Sequence, residues 1–306
     1  MLYSKSSTGG LKMANTRLRS LIGLLIILFL SACSTLKPER GEIKVRLVDN
    51  MVIVYVPAGN FPMGTSEDDL QHAFQTCTQY WFNCDRENFT DEEPQHRVFL
   101  SGFWIDQTEV TNGQYMRCVN AGNCMEPNCL SGDQFNQSNQ PVVCVNWHQA
   151  EAYCRWVGGR LPTEAEWEYT ARGKQGTRYP WGDDFVGEWL NYCDKSCGRD
   201  RADPAWDDGV EYSAEVGSYP KGVSWCDAAD MAGNVSEWVG DWYEDFTPGW
   251  DIDPNGPESG ETKVIKGGSW FLTKVEARGA WRQSLIPEDW YDDLGFRCVI
   301  PISGEP

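Results

Sequence analysis

Residues 141–173 read PVVCVNWHQAEAYCRWVGGRLPTEAEWEYTARG, and two helix starts stand in that one stretch. Asn146 is followed three residues later by Gln149, and Thr163 by Glu166. At that spacing the first side chain caps a free amide of the new helix, while the second reaches back to the cap's own amide. Behind the first cap, Ala150, Tyr153, Cys154 and Val157 recur at i, i+3, i+4 and i+7, one buried stripe, and Gly158-Gly159 ends the run. The second helix has Pro162 just before its cap and runs to about Arg172-Gly173. A third box, Thr111 with Gln114, predicts a short helix upstream.

Outward from these helices the pattern changes. Residues 51–64 (MVIVYVPAGNFPMG) read as a strand, a Pro-Ala-Gly turn and a second short strand, and 97–105 (RVFLSGFWI) as a strand with a Ser-Gly break. Ser66-Glu67-Asp68-Asp69 starts a small helix, and the polar stretch Cys77–Pro94 reads as a surface loop. Beyond residue 180, Gly, Pro, Asp and Asn interrupt every periodic segment, and no second long helix is expected. A chain with so many loops needs staples, either disulfides or bound cations.

The chain has 306 residues and a net charge of −19. No basic cluster offsets that charge, which argues against a nucleic-acid partner. No apolar run reaches the ~18 residues of a membrane span. The first 33 residues instead read as an address. Lys5, Lys12, Arg17 and Arg19 precede LIGLLIILFL (21–30), and small residues follow, which is the layout of a secretory signal. Leu30-Ser31-Ala32-Cys33 resembles the bacterial lipobox, in which Cys33 is lipidated and becomes the new N-terminus; Met13 could serve as the start. Ser34 after the cysteine implies, by resemblance to known sorting rules, the outer membrane, facing the periplasm or the outside. Loss of the signal leaves 22 Lys+Arg against 45 Asp+Glu, or −23. An anionic lipid surface repels such a domain, so it stands off the membrane on its acyl tether. Residues 34–47 read as a linker of reach about 45 Å, and residues 48–303 as the domain.

Cysteine usage agrees with export. Eleven remain after Cys33, and close spacing suggests Cys77/Cys84, Cys118/Cys124, Cys129/Cys144 and Cys193/Cys197 as bridges, with one thiol left over. There is no P-loop, GxGxxG, HExxH or GxSxG. His72, His96 and His148 have no partner at metal-ligand spacing and read as structural or surface residues. Asp251–Gly256 opens like an EF-hand loop, but Thr262 replaces the closing Glu and no helices flank it. Asp230-Met231-Ala232-Gly233-Asn234-Val235-Ser236-Glu237 brackets a Gly-Asn turn with two carboxylates. Such a mixture of carboxylate and carbonyl oxygens suits calcium, although a solvated turn before a strand gives the same pattern.

Several blocks resemble the formylglycine-generating enzyme (sulfatase-modifying factor) family: VPAGNFPMG (56–64), EEPQHRVFLSGFWIDQTEVTNGQY (92–115), the stretch at 141–173, YPWGDD (179–184), DMAGNVSEWVGDWY (230–243), VIKGGSW (264–270) and GFRCV (295–299). The resemblance implies a single α+β domain with a C-type-lectin-like core and little regular structure. It implies two structural calcium sites, one from Asp230 and Glu237 side chains with Gly233 and Val235 carbonyls. The other takes Asn191 and Asp208 side chains with Tyr192 and Val210 carbonyls. It further implies a Cys154–Cys298 disulfide.

The family's copper site does not carry over. Its two cysteines follow the Gly-Gly-Ser block, where thiolates suit Cu(I). Here 267–278 reads GGSWFLTKVEAR, with Leu272 at the first ligand's place and the second falling near Lys274. A second family disulfide is lost on both sides, at Ala171 and Gly279. Copper is therefore not expected. Ser269, Leu272, Arg282 and Trp238 mark the remaining ligand-pocket candidate, with no catalytic residue assigned. Three roles follow. The first is a calcium-stabilised, lipid-anchored binding or scaffolding module for an exported protein, peptide or glycan. The others are a formylglycine-generating oxidase acting on a sulfatase cysteine and another oxidative enzyme of the superfamily.

Overall fold

A computed structural model describes residues 38–79, 84–129 and 134–302. The signal expected at 1–33, with Cys33, lies outside them. No described helix is long and apolar enough to cross a membrane.

Strands β1 (Ile43–Arg46) and β2 (Met51–Val56) pair antiparallel. The segment expected to be a free linker therefore becomes part of the domain at residue 43. Arg46 explains why: it is buried, and it donates to Asp49 and, at 2.6 Å, to Asp106. Strands β3 (Gly59–Met63), β4 (His96–Leu100) and β5 (Phe103–Asp106) follow as the sequence suggests, the Ser-Gly break falling between β4 and β5. β5 sits inside a four-stranded sheet of order β1-β2-β5-β11, where β11 is Val299–Ile300.

Helices α1 (Glu67–Cys77), α2 (Asn112–Asn120), α3 (Trp147–Trp156) and α4 (Glu164–Arg172) begin at Ser66, Thr111, Asn146 and Thr163. The last three carry complete reciprocal capping boxes. The α3 stripe packs into one core cluster with Tyr115, Trp238, Leu294 and Phe296. Helix α4 is buried along its whole length, and Trp167 and Tyr169 anchor a second cluster under β2, β4 and β5. The stretch 77–94 is more than a loop: a 3-10 helix spans Arg86–Glu92 and buries Phe89 and Glu92.

The second half holds β6 (Ser236–Trp242), β7 (Trp250–Ile252), β8 (Lys263–Lys266), β9 (Arg282–Leu285) and β10 (Leu294–Phe296). They form a sheet of order β10-β6-β8-β9, while β7 joins β3 and β4. Among the described residues five disulfides are formed: Cys77–Cys84, Cys118–Cys124, Cys129–Cys144, Cys154–Cys298 and Cys193–Cys197. Cys226 is the free cysteine among the described residues, and it is buried.

Candidate functional site

The loop that carries the pocket candidates leaves β8 through Gly267 and Gly268, both at positive φ. A Cβ on Gly268 would lie 2.9 Å from the Glu276 backbone, so the loop doubles back tightly on itself. Ser269 is buried and donates to Asp293 Oδ2 at 2.6 Å. The Leu272 carbonyl accepts the Cys193 amide at 2.8 Å. Thr273 closes a turn by donating from both its amide and hydroxyl to Glu276 Oε2. The donors available here are hydroxyl and carboxylate oxygens, which are poor ligands for a soft monovalent ion.

Ser269 and Leu272 share that turn, but Arg282 and Trp238 are engaged elsewhere. Arg282 forks onto Glu164 with two contacts of 2.8 Å and donates to the Asp91 and Glu244 carbonyls. Trp238 is fully buried, and its indole N–H donates to the Val145 carbonyl at 3.0 Å. None of the four lines the clefts of about 780, 690 and 420 Å³ on the surface. Ala171 and Gly279, where the resemblance implies a further family disulfide, lie side by side. A Cβ on Gly279 would stand 3.6 Å from Ala171 Cβ, within the spacing a disulfide spans, and 2.5 Å from Arg172 Cγ. The Arg172 stem occupies the space that a side chain at 279 would need.

The two expected calcium loops touch. The Asn234 amide donates to the Asn191 carbonyl at 2.7 Å, and a Cβ on Gly233 would meet that same carbonyl oxygen at 2.1 Å. Asn191 Nδ2 donates to the Tyr212 carbonyl and to Asn234 Oδ1, but its Oδ1 is buried without a partner. Asp208 accepts the Val210 amide and the Tyr219 hydroxyl, and the Tyr192 carbonyl accepts the Asp194 amide.

In the other loop, Asp230 accepts the Gly217 amide at 2.6 Å. Glu237 is already engaged. Arg297 donates to both of its oxygens at 2.7 Å, and Trp167 Nε1 donates to Oε2 at 2.9 Å, which leaves one acceptor position on Oε1. Sequence reasoning missed Glu109. It is fully buried, accepts from Asn234 Nδ2 with Oε1, and leaves Oε2 unpartnered. Burial, then the neighbouring Asp230, holds its carboxyl well above the usual carboxylate range. Nothing in the run Thr108-Glu109-Val110 distinguishes it from a surface acid.

Among the described residues no group of three or more His, Cys, Asp or Glu is arranged to hold a metal. The orphaned oxygens of Asn191 and Glu109 nevertheless fit a hard cation with mixed oxygen ligands, as calcium prefers. Glu237 fits least well of the expected donors.

The fold is shared with known proteins. Residues 39–302 match the sulfatase-modifying factor enzyme 1-like domain, and the chain belongs to that family. It is 34% identical over 260 residues to the formylglycine-generating enzyme of Streptomyces coelicolor, covering 68% of this chain and 81% of that protein. To the formylglycine-generating enzyme of Mus musculus it is 29% identical over 295 residues, covering 81% of this chain and 74% of that one. PvdO from Pseudomonas aeruginosa superposes with a TM-score of 0.68 at 26% identity, over 87% of this chain and all of that structure.

Proposed function

We propose that the protein is a non-catalytic binding or scaffolding module, lipid-anchored through Cys33 in the bacterial cell envelope and stabilised by calcium. The thiol inventory carries this reading. Five disulfides use every described cysteine except Cys226. Burial pushes the Cys226 thiol up to about 11, so it stays protonated at neutral pH. A copper(I) site needs two thiolates, and the turn at Leu272 supplies none.

The relatives named as formylglycine-generating enzymes support the alternative, conversion of a sulfatase cysteine with copper and oxygen. The purified protein, given copper(I), oxygen and a Cys-X-Pro-X-Arg peptide, is expected to leave the peptide cysteine unchanged by mass spectrometry. Formylglycine in that peptide overturns the binding-module reading.

Calcium is assigned to the Asn191/Tyr192/Asp208/Val210 donors and to Asp230, Gly233 and Val235, with Glu109 joining Glu237 there. At a calcium concentration one hundred times Kd, each site adds about 2.7 kcal/mol. Chelation is therefore expected to lower Tm, and calcium, but not magnesium, to restore it. An unchanged transition counts against both ions.

A further inference from the structure

The largest of the three clefts described, about 780 Å³, is lined by residues 172–175, Thr177, 180–182 and 223–225, with Arg40 and Pro57 at its edge. Its size lies within the range of small-ligand sites, about 300–1,000 Å³. Its charge runs against that of the chain. With 45 acidic residues against 26 basic ones overall, the lining holds Arg40, Arg172 and Lys174 and no carboxylate. Arg172 is spent internally on Glu168 and three backbone carbonyls. Arg40 and Lys174 are exposed, and neither has a hydrogen bond or ion pair among the described residues.

Two indoles complete the cleft. Trp225 donates its N–H to the Tyr169 carbonyl at 2.8 Å, and Trp181 donates to the Asp184 carbonyl at 2.9 Å. Those bonds fix the ring planes. Trp181 is further held by stacking on Tyr179 at 5.4 Å and by an edge contact with Trp189 at 5.8 Å. Because each polar edge is already satisfied, what an indole offers a ligand is its apolar face.

We infer that this cleft binds an acidic saccharide. The C–H face of a sugar ring stacks on Trp181 or Trp225, its carboxylate or sulfate meets Lys174 and Arg40, and Gln175 reaches its hydroxyls. No strand edge and no groove between helices lines the cleft, so it lacks the surfaces by which a peptide backbone is held. Two free cations on a chain of net charge −19 are too few to hold a nucleic-acid strand. Ser269, Leu272, Arg282 and Trp238 are absent from the lining, so this inference stands whether or not the domain catalyses a reaction.

The test is tryptophan fluorescence and calorimetric titration of the full-length protein in detergent. The probes are trigalacturonate, the neutral galactose trisaccharide, an Asp-rich pentapeptide and AMP. Saturable binding of trigalacturonate with quenched fluorescence is expected, at least tenfold tighter than any other probe. Lys174→Gln and Arg40→Gln, both exposed and unpaired, should keep the native circular dichroism and weaken that binding at least tenfold together. Trp181→Ala should abolish the quenching. Three results overturn the inference: no binding of the uronate, equal affinity in the Lys174/Arg40 double variant, or tighter binding of the peptide or the nucleotide.

Discussion

Gly233 shows how little room a single position leaves. Its φ is 77°, and a β-carbon there would strike the Asn191 carbonyl. Gly233→Ala therefore forces the Asn191 loop away from the loop of Asn234, which bonds both Asn191 and Glu109. A loss of about 2–4 kcal/mol is expected in urea unfolding, with the calcium-dependent part of Tm reduced as well. A variant as stable as the parent would show that the loops can separate freely. The sequence made Gly233 and Asp230 visible, because a Gly-Asn turn between carboxylates is a local pattern. Glu109 stayed hidden, since its hydrogen-bond partner Asn234 lies 125 residues along the chain and only burial distinguishes it. Trp238 and Arg282 were misleading for the same reason: residue type says nothing about whether an indole or a guanidinium faces a cleft or the core.

Helix α4 carries four charged side chains, all of them buried. Glu168 accepts from Lys266 at 3.0 Å, from Arg172 at 2.6 Å and from the Gly64 amide at 2.8 Å, all out of contact with water. Burial works against its ionisation, but Lys266 and Arg172 outweigh it and hold the carboxyl at about 2. Removing one member strands the other charges, so Lys266→Met should cost about 3–5 kcal/mol. Its stability contribution is present above the unfolded carboxylate range and fades as pH falls below it toward 2.

Asp241, which accepts the first amide of the same helix from Glu164 at 2.9 Å, behaves oppositely. Burial and then Glu164 push it up to about 7. The folded protein keeps this proton to about pH 7, whereas the unfolded chain releases it near pH 4. Its effect is thus to reduce stability progressively as pH rises from about 4 to 7, with no further change above. Asp241→Asn should flatten that part of the Tm-against-pH curve and raise Tm at pH 8; a parallel curve would show that Asp241 does not titrate there. Helix starts were legible because a capping box is contained in four residues. The strands after residue 230 were not, because their partners are distant and their ends are cut by Gly and Asn. Strand β1 was missed because Ile43 and Val45 face solvent while Arg46 turns inward to Asp106, 60 residues further along the chain, as well as to nearby Asp49.

At the scale of the molecule, the longest covalent closure joins α3 to the segment before β11. The Cys154–Cys298 bond spans 144 residues. On the chain-entropy account it contributes about 5 kcal/mol, so Cys154→Ala with Cys298→Ala should unfold at clearly lower urea than the parent. The short-range pairs could be read from spacing, but this one entered only through family resemblance. The general shape, α+β with many loops, followed from the breakers in the second half, whereas the division into three small sheets did not.

The register across the first sheet aligns Ile43 with Val54, Val54 with Ile105 and Ile105 with Val299. The chain therefore enters and leaves at one end of one sheet, about 14 Å apart at normal strand spacing. A splice of roughly five residues could join those points. The backbone could then be reopened at Gly198, whose neighbourhood is open space, to give a circular permutant with every strand pairing intact.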